Sequence, residues 1–299
     1  MTPVPEHGTP AADAFLALRQ LARRTDADVQ EVLTLYALEG LLARVAASKW
    51  ADEFVLKGGV LLAAFDLRRP TKDIDLQATG LPNDVEAVRE RMTAIAAVGV
   101  SDGLVFPADE VTAQTIRDED QYAGVRVRLV AGLANARLTI GVDINFGDPI
   151  WPGAETVTIP RLLGSGPVRM LGYPLPMVVA EKTLTAIERG EANTRWRDFA
   201  DLLIISRSQT FAAAEVVAAV AEVAAHRGVP SIPLRSHLAD LPAQAQPKWA
   251  VWRRKQATAD QLPASFAEAL DEIADFVDPI LGTTVDEGSG WDHQRRSWS

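Results

Sequence analysis

The chain contains no cysteine, which excludes disulfides and thiolate metal sites. Its four histidines, His7, His226, His237 and His293, are scattered and match no zinc spacing. No apolar run approaches the length of a membrane span, and Met1 to Pro10 lack the basic start and apolar core of a secretory leader. The expectation is a cytoplasmic protein with no membrane partner. Positive charge is also short: 30 basic residues face 40 acidic ones, for a net charge of −10. A general nucleic-acid coat needs a positive face and is excluded, whereas a local basic groove is not. Lysine is the scarcest cation, with six positions: Lys49, Lys57, Lys72, Lys182, Lys248 and Lys255.

What is present suffices for one large domain or two smaller ones, since 47% of 299 residues are hydrophobic. Ala11 to Arg24 and Asp28 to Ala47 carry helical periodicity. Phe54-Val55-Leu56 leads through Lys57 into Gly58-Gly59, and Val60 to Leu67 then reads as a helix, giving strand, glycine turn, helix. Asp73 to Gln77 alternates polar and apolar, as a half-buried strand does. A helix follows from Asn83 or Asp84 to about Val98. From Val111 to Phe146 the period becomes two, predicting antiparallel strands around a Gly132–Asn135 turn, and Thr156 to Ile159 adds one more. After Gly172 helices are expected over Pro176–Arg189, Thr194–Ser206, Phe211–Arg227, Lys248–Thr258 and Ser265–Val277. These elements imply an α/β lobe over residues 1–165, a helical lobe over 166–282, and a mobile tail over 283–299.

The chemistry starts at Asp73-Ile74-Asp75. On a strand, residues two apart share a face, so both carboxylates project together while Ile74 and Leu76 face a core. Paired hard oxygens are what Mg²⁺ requires when it also binds substrate phosphates. The spacing alone carries little, because a solvated strand face produces it equally well. Context adds weight. Gly58-Gly59 falls between a strand and a helix, where free N–H groups favour an anion and missing side chains let a phosphate approach. Asp143, in Val142-Asp143-Ile144-Asn145, would complete a three-carboxylate metal site for two Mg²⁺ ions if its strand neighbours that of Asp73 and Asp75. Farther on, Glu181-Lys182 lies mid-helix among apolar residues, and Arg195, Asp198 and Asp201 recur along one helix side.

The run Phe54-Val55-Leu56-Lys57-Gly58-Gly59-Val60-Leu61-Leu62, with Arg68/Arg69, Thr71 and Asp73-Ile74-Asp75-Leu76, resembles the first motif of the AbiEii family. These are nucleotidyltransferase-like toxins of type IV-style toxin–antitoxin systems and include the MenT group. Later motifs follow in order: Asp143-Ile144 with Gly147-Asp148, Tyr173 with Glu181-Lys182, then Arg195, Arg197-Asp198 and Asp201-Leu202. The resemblance covers roughly residues 30 to 205. One departure is Gly59, where nucleotidyltransferases often carry serine.

The resemblance implies an α+β, bilobed protein, with a polymerase-β-like lobe on a mixed or antiparallel sheet and a helical C-terminal lobe. It assigns metal ligation to Asp73, Asp75 and Asp143, and catalytic roles to Asp73, Asp75, Lys182 and Asp198, the last as candidate base. Nucleotide contacts fall to Lys57, Gly58, Gly59, Arg68, Thr71, Lys182 and Arg195. The implied reaction is transfer of a nucleotide from an NTP to an acceptor hydroxyl, with tRNA as acceptor and an antitoxin as partner. Alternatives are transfer to a small molecule or a protein side chain, or a silent NTP-binding protein. One further segment, Lys248-Trp249-Ala250-Val251-Trp252-Arg253-Arg254-Lys255, interleaves aromatics and cations and offers a surface for RNA ends, with Arg126 and Arg128 as a second. A helix that buries the tryptophans would show the same pattern.

Overall fold

A computed structural model describes residues 8–116, 124–164, 166–256 and 259–299. The chain divides into two compact units, one of Met1–Asp148 with Ala154–Tyr173, the other of Pro149–Gly153 with Pro174–Ser299. The division therefore follows Tyr173 rather than residue 165, because a strand at Val168–Gly172 joins the first unit's sheet.

The first unit opens with α1 (Pro10–Arg24), whose start is set by Thr9 accepting the Ala12 N–H and by Pro10 in the first turn. Next comes α2 (Val29–Ala47), capped by Asp28. Its apolar composition puts it inside the unit, and Glu39 and Arg44 are buried with it. The strand β1 (Phe54–Lys57) runs into the short helix α3 (Gly58–Leu61), continued as a 3₁₀ turn to Phe65. There follow β2 (Asp73–Ala78), α4 (Val85–Ala96), β3 (Thr112–Ile116), β4 (Gly124–Leu133), β5 (Ala136–Phe146), β6 (Glu155–Ile159) and β7 (Val168–Gly172).

Among the described residues these seven strands form one mixed sheet in the order β3-β4-β5-β2-β1-β7-β6. β2 runs parallel to β5, and β1 pairs antiparallel with β2 and parallel with β7. β4 and β5 form a hairpin closed by Ala134-Asn135, with Ala134 in the left-handed region. The alternation fixes the register. Val125, Val127, Leu129, Ile140, Val142, Ile144, Ile74 and Leu76 pair across strands on one face and are all buried. Each contributes roughly 1.5–3 kcal/mol by burial, and a one-residue slip would expose a whole strand's set. The opposite face collects the chemistry: Asp73, Asp75 and Gln77 on β2, Gly141, Asp143 and Asn145 on β5, Arg126 and Arg128 on β4.

The second unit contains α5 (Leu175–Arg189), α6 (Trp196–Ser208), β8 (Phe211–Ala212), α7 (Ala213–Arg227), α8 (Leu234–His237), α9 (Leu241–Arg253), α10 (Phe266–Leu281), β9 (Gly290–Asp292) and β10 (Ser297–Trp298). Its core is aromatic. Trp196, Phe199, Trp249 and Phe266 pack with ring centroids 5.1 to 6.4 Å apart. A second cluster joins Phe211, Phe276, Trp291 and Trp298.

Two expectations are corrected here. Residues 283–299 are not a loose tail, since β9 pairs with β8, β10 pairs with β9, and the Trp291 indole donates to the Ser206 carbonyl at 2.7 Å. The Trp298 indole donates to Phe276 O at 2.8 Å. Of the two readings open for Lys248–Lys255, Trp249 takes the buried one, fully inside with its N–H given to Pro263 O. Its helix starts at Leu241 and ends at Arg253, not over Lys248–Thr258, and Ala257 and Thr258 lie outside the described residues. No described helix is long and apolar enough to cross a membrane.

Candidate active site

Four side chains line up across the polar face because the register aligns their strands: Lys57 on β1, Asp75 on β2, Asp143 on β5 and Arg126 on β4. The charges read plus, minus, minus, plus. Asp73 lies one step along β2, opposite Gly141. Two glycines leave room for this carboxylate pair. Gly58, at φ +67°, starts α3 directly against Asp75, and a Cβ there would overlap its carboxylate. Gly141 is overlain by Asp73, whose Oδ1 would be 2.5 Å from a Cβ at that position. Glycine at these places is a condition of the carboxylates' placement, not a turn accident.

Gly59, also at the start of α3, lies beneath Arg69 and Thr71: a Cβ would meet the Arg69 guanidinium nitrogens at 3.0 Å and Thr71 Oγ1 at 3.1 Å. A glycine turn, a helix start, a guanidinium and a hydroxyl in one place suit a phosphate. The family resemblance implies Arg68 for that role, but the guanidinium over Gly59 is that of Arg69. In the structure Arg68 ties the fold together, since its guanidinium pairs with Glu39 at 2.5 Å and donates to Pro160 O. Glu39 also accepts the Leu162 N–H at 2.8 Å. Burial pushes the Glu39 carboxyl up from its ordinary value, against the opposing pull of Arg68 and the Leu162 amide.

Lys57 is likewise held inside the unit. Its ammonium lies 2.9 Å from Asp148 Oδ2, with both side chains buried, and sits over the Tyr173 ring. Asp143 is engaged by both oxygens: Arg126 Nε donates to one at 2.7 Å and Nη2 to the other at 2.6 Å. The expected three-carboxylate cluster is not assembled. Among the described residues no three Asp, Glu, His or Cys side chains converge to hold a metal. The Asp73/Asp75 pair does fit a hard divalent ion in its donor chemistry, because Mg²⁺ keeps several waters and needs one or two carboxylates plus substrate phosphates.

The second unit brings together the other predicted residues. Lys182 on α5 donates to Asp198 Oδ1 at 2.6 Å and lies 2.8 Å from Asp201 Oδ2. Arg195 Nε donates to the second Asp198 oxygen at 2.6 Å. Asp201 is buried, an acceptor that the motif spacing showed but that received no role in the sequence reading. Burial alone would raise the Asp198 carboxyl, yet Lys182 and Arg195 outweigh it and bring the pKa down to about 2. Such a carboxylate stays ionised near neutrality and is a poor proton acceptor, so the geometry suits an anchor for Lys182 better than a base.

The AbiEii pattern, described as the nucleotidyl transferase AbiEii toxin of type IV toxin–antitoxin systems, matches residues 40–275. The chain belongs to the AbiEii family. It is therefore a nucleotidyltransferase, with an NTP as substrate and an antitoxin as the partner its family implies. Two Helicobacter pylori structures share the AbiEii chain's fold. One is a protein whose title assigns it provisionally as a nucleotidyltransferase, 15% identical, covering 86% of this chain and 98% of its own, with a TM-score of 0.50. The other is JHP933, also 15% identical, covering 85% and 94%, with a TM-score of 0.50. Comparison with curated proteins gives no match.

Proposed function

We propose that this AbiEii-family enzyme transfers a nucleoside monophosphate from an NTP to the 3′ end of tRNA, with Mg²⁺ held by Asp73 and Asp75, and so blocks translation. The observation that carries the reading is the carboxylate pair of β2 set against the glycine turn that opens α3. An acceptor hydroxyl oxygen bonds to the α-phosphorus, the bond to the β-bridging oxygen breaks, and pyrophosphate leaves while the hydroxyl proton passes to solvent. When bound, Mg²⁺ would neutralise triphosphate charge and stabilise the departing pyrophosphate. Asp73 and Asp75 hold that ion, and the Gly58-Gly59 turn with Arg69 and Thr71 receives phosphate oxygens. Lys182, fixed by Asp198 and Asp201, supplies an ammonium that loses little freedom on meeting a phosphate.

The tRNA acceptor follows from the resemblance to the MenT group. It is supported by Arg126 and Arg128, which put positive charge on the carboxylate face of an otherwise acidic chain. The test incubates the protein and its Asp75→Asn variant with Mg²⁺ and each labelled NTP, against total RNA, total protein and small hydroxyl compounds. Label in the tRNA band, absent with the variant, is the expected result. Label only in protein or in a small molecule sinks the acceptor assignment, and no label with any NTP sinks the whole reading.

A further inference from the structure

The polar sheet face contains an ion pair that the proposed chemistry leaves unexplained. Asp143 stands beside Asp75 in the register, where a third metal ligand would be expected, yet Arg126 occupies it. The contact is bidentate and short, 2.7 and 2.6 Å, so each carboxylate oxygen has a charged donor. For Asp143 to ligate a cation, one of those bonds would have to break, and a guanidinium would remain beside the divalent charge. The surroundings agree. Gly141 and Gly58 leave room over Asp73 and Asp75, and the Lys57 across the strand from Asp75 is held by Asp148, whereas Asp143 itself holds the long side chain of Arg126 opposite it. The Arg126 side chain is 39% exposed and that of Asp143 19%, so the pair presents the cation outward and keeps the anion beneath it.

We infer that Asp143 is a positioning residue, not a metal ligand: it fixes Arg126 on the carboxylate face, and Arg126 receives a phosphate group there. Two sources can supply that phosphate, the NTP and the backbone of a nucleic-acid acceptor. Pinning a guanidinium removes most of the rotamer freedom that a surface arginine would lose on binding, and so favours the contact. The inference rests on the carboxylate face being the reaction site.

The experiment measures binding, not turnover, on the full chain. Mn²⁺ is titrated by calorimetry into wild type, Asp143→Asn and Asp73→Asn. Asp143→Asn should keep Mn²⁺ affinity within about twofold while Asp73→Asn weakens it at least tenfold, a difference above about 1.4 kcal/mol. A loss with Asp143→Asn equal to that with Asp73→Asn overturns the inference. Non-hydrolysable analogues of the four NTPs and a tRNA are then bound separately to Asp143→Asn, Arg126→Gln and the double variant. Both single changes should weaken one of these ligands by a similar factor of three or more, and the double change should add little. The ligand that weakens identifies the source of the phosphate. Arg126→Gln stands alone should Asp143→Asn fold poorly, and unchanged affinity for both ligands in Arg126→Gln overturns the inference. Absence of nucleotide transfer in the earlier assay would remove the proposed reaction but leave the Mn²⁺ comparison to decide Asp143.

Discussion

Gly58 and Gly59 are neighbours with different duties. A side chain at Gly58 meets both a left-handed backbone and the body of the Asp75 carboxylate, while one at Gly59 meets only the movable ends of Arg69 and Thr71. Gly58→Ala should therefore lose at least tenfold in transfer, about 1.4 kcal/mol or more in transition-state terms, whereas Gly59→Ala should lose less. Equal losses would show that the two glycines act only as a flexible turn. Asp198 offers a pH test. Its folded pKa of about 2 lies below the ordinary 3.8, so its contribution to stability is complete above pH 4 and fades as pH falls toward 2. The shift corresponds to about 2 kcal/mol. Chemical unfolding at pH 5 and pH 2.5 should show wild type losing more stability on acidification than Asp198→Asn, and equal losses would mean that Lys182 and Arg195 do not hold the carboxylate.

Pairing between elements has consequences of its own. Lys182 on α5 is the shared partner of Asp198 and Asp201 on α6, and all three are largely buried. Lys182→Ala leaves two buried carboxylates short of a cation, which should destabilise the fold by about 3 kcal/mol as well as abolish transfer. Glu188→Ala, on the partly exposed side of α5, should change the melting temperature little. If Lys182→Ala melts like wild type, the cluster is wetter than its geometry shows. The helices and the β4–β5 hairpin were legible in the sequence because their apolar spacing is regular. β7 was not, since Val168–Gly172 is five residues long and follows a Gly/Pro-rich loop. α9 begins before the expected Lys248, because Pro242 falls in its first turn and Pro247 is accommodated within the helix. The site residues were found by motif, but not their partners. Nothing local tells Asp143 to face Arg126, Arg68 to face Glu39 or Lys57 to face Asp148; the sheet register and chain returns of up to 91 residues decide that.

Across the second unit, the last stretch of chain closes a sheet with Phe211–Ala212 and caps Phe276 with Trp291 and Trp298. Polar composition concealed this, because two well-placed tryptophans outweigh a run of glycines and charges. Removing residues 283–299 uncovers that cluster, and burying large aromatic side chains is worth several kcal/mol. The truncated chain should melt many degrees lower or fail to fold, and an unchanged melting curve would mean that the small sheet is ornamental.

Gly141 has a use beyond geometry. Adding one methyl group there displaces the Asp73 carboxylate while removing no carboxylate and no hydrogen-bonding group and keeping the net charge of −10. Gly141→Ala should lower Mn²⁺ affinity and transfer without altering how the surface looks to a binding protein. If transfer survives, Asp73 tolerates the shift and the variant has no such value. If it does not, Gly141→Ala is a disarmed toxin that cells can produce in quantity and that an antitoxin would still meet as the natural surface, a bait in which only the poison is missing.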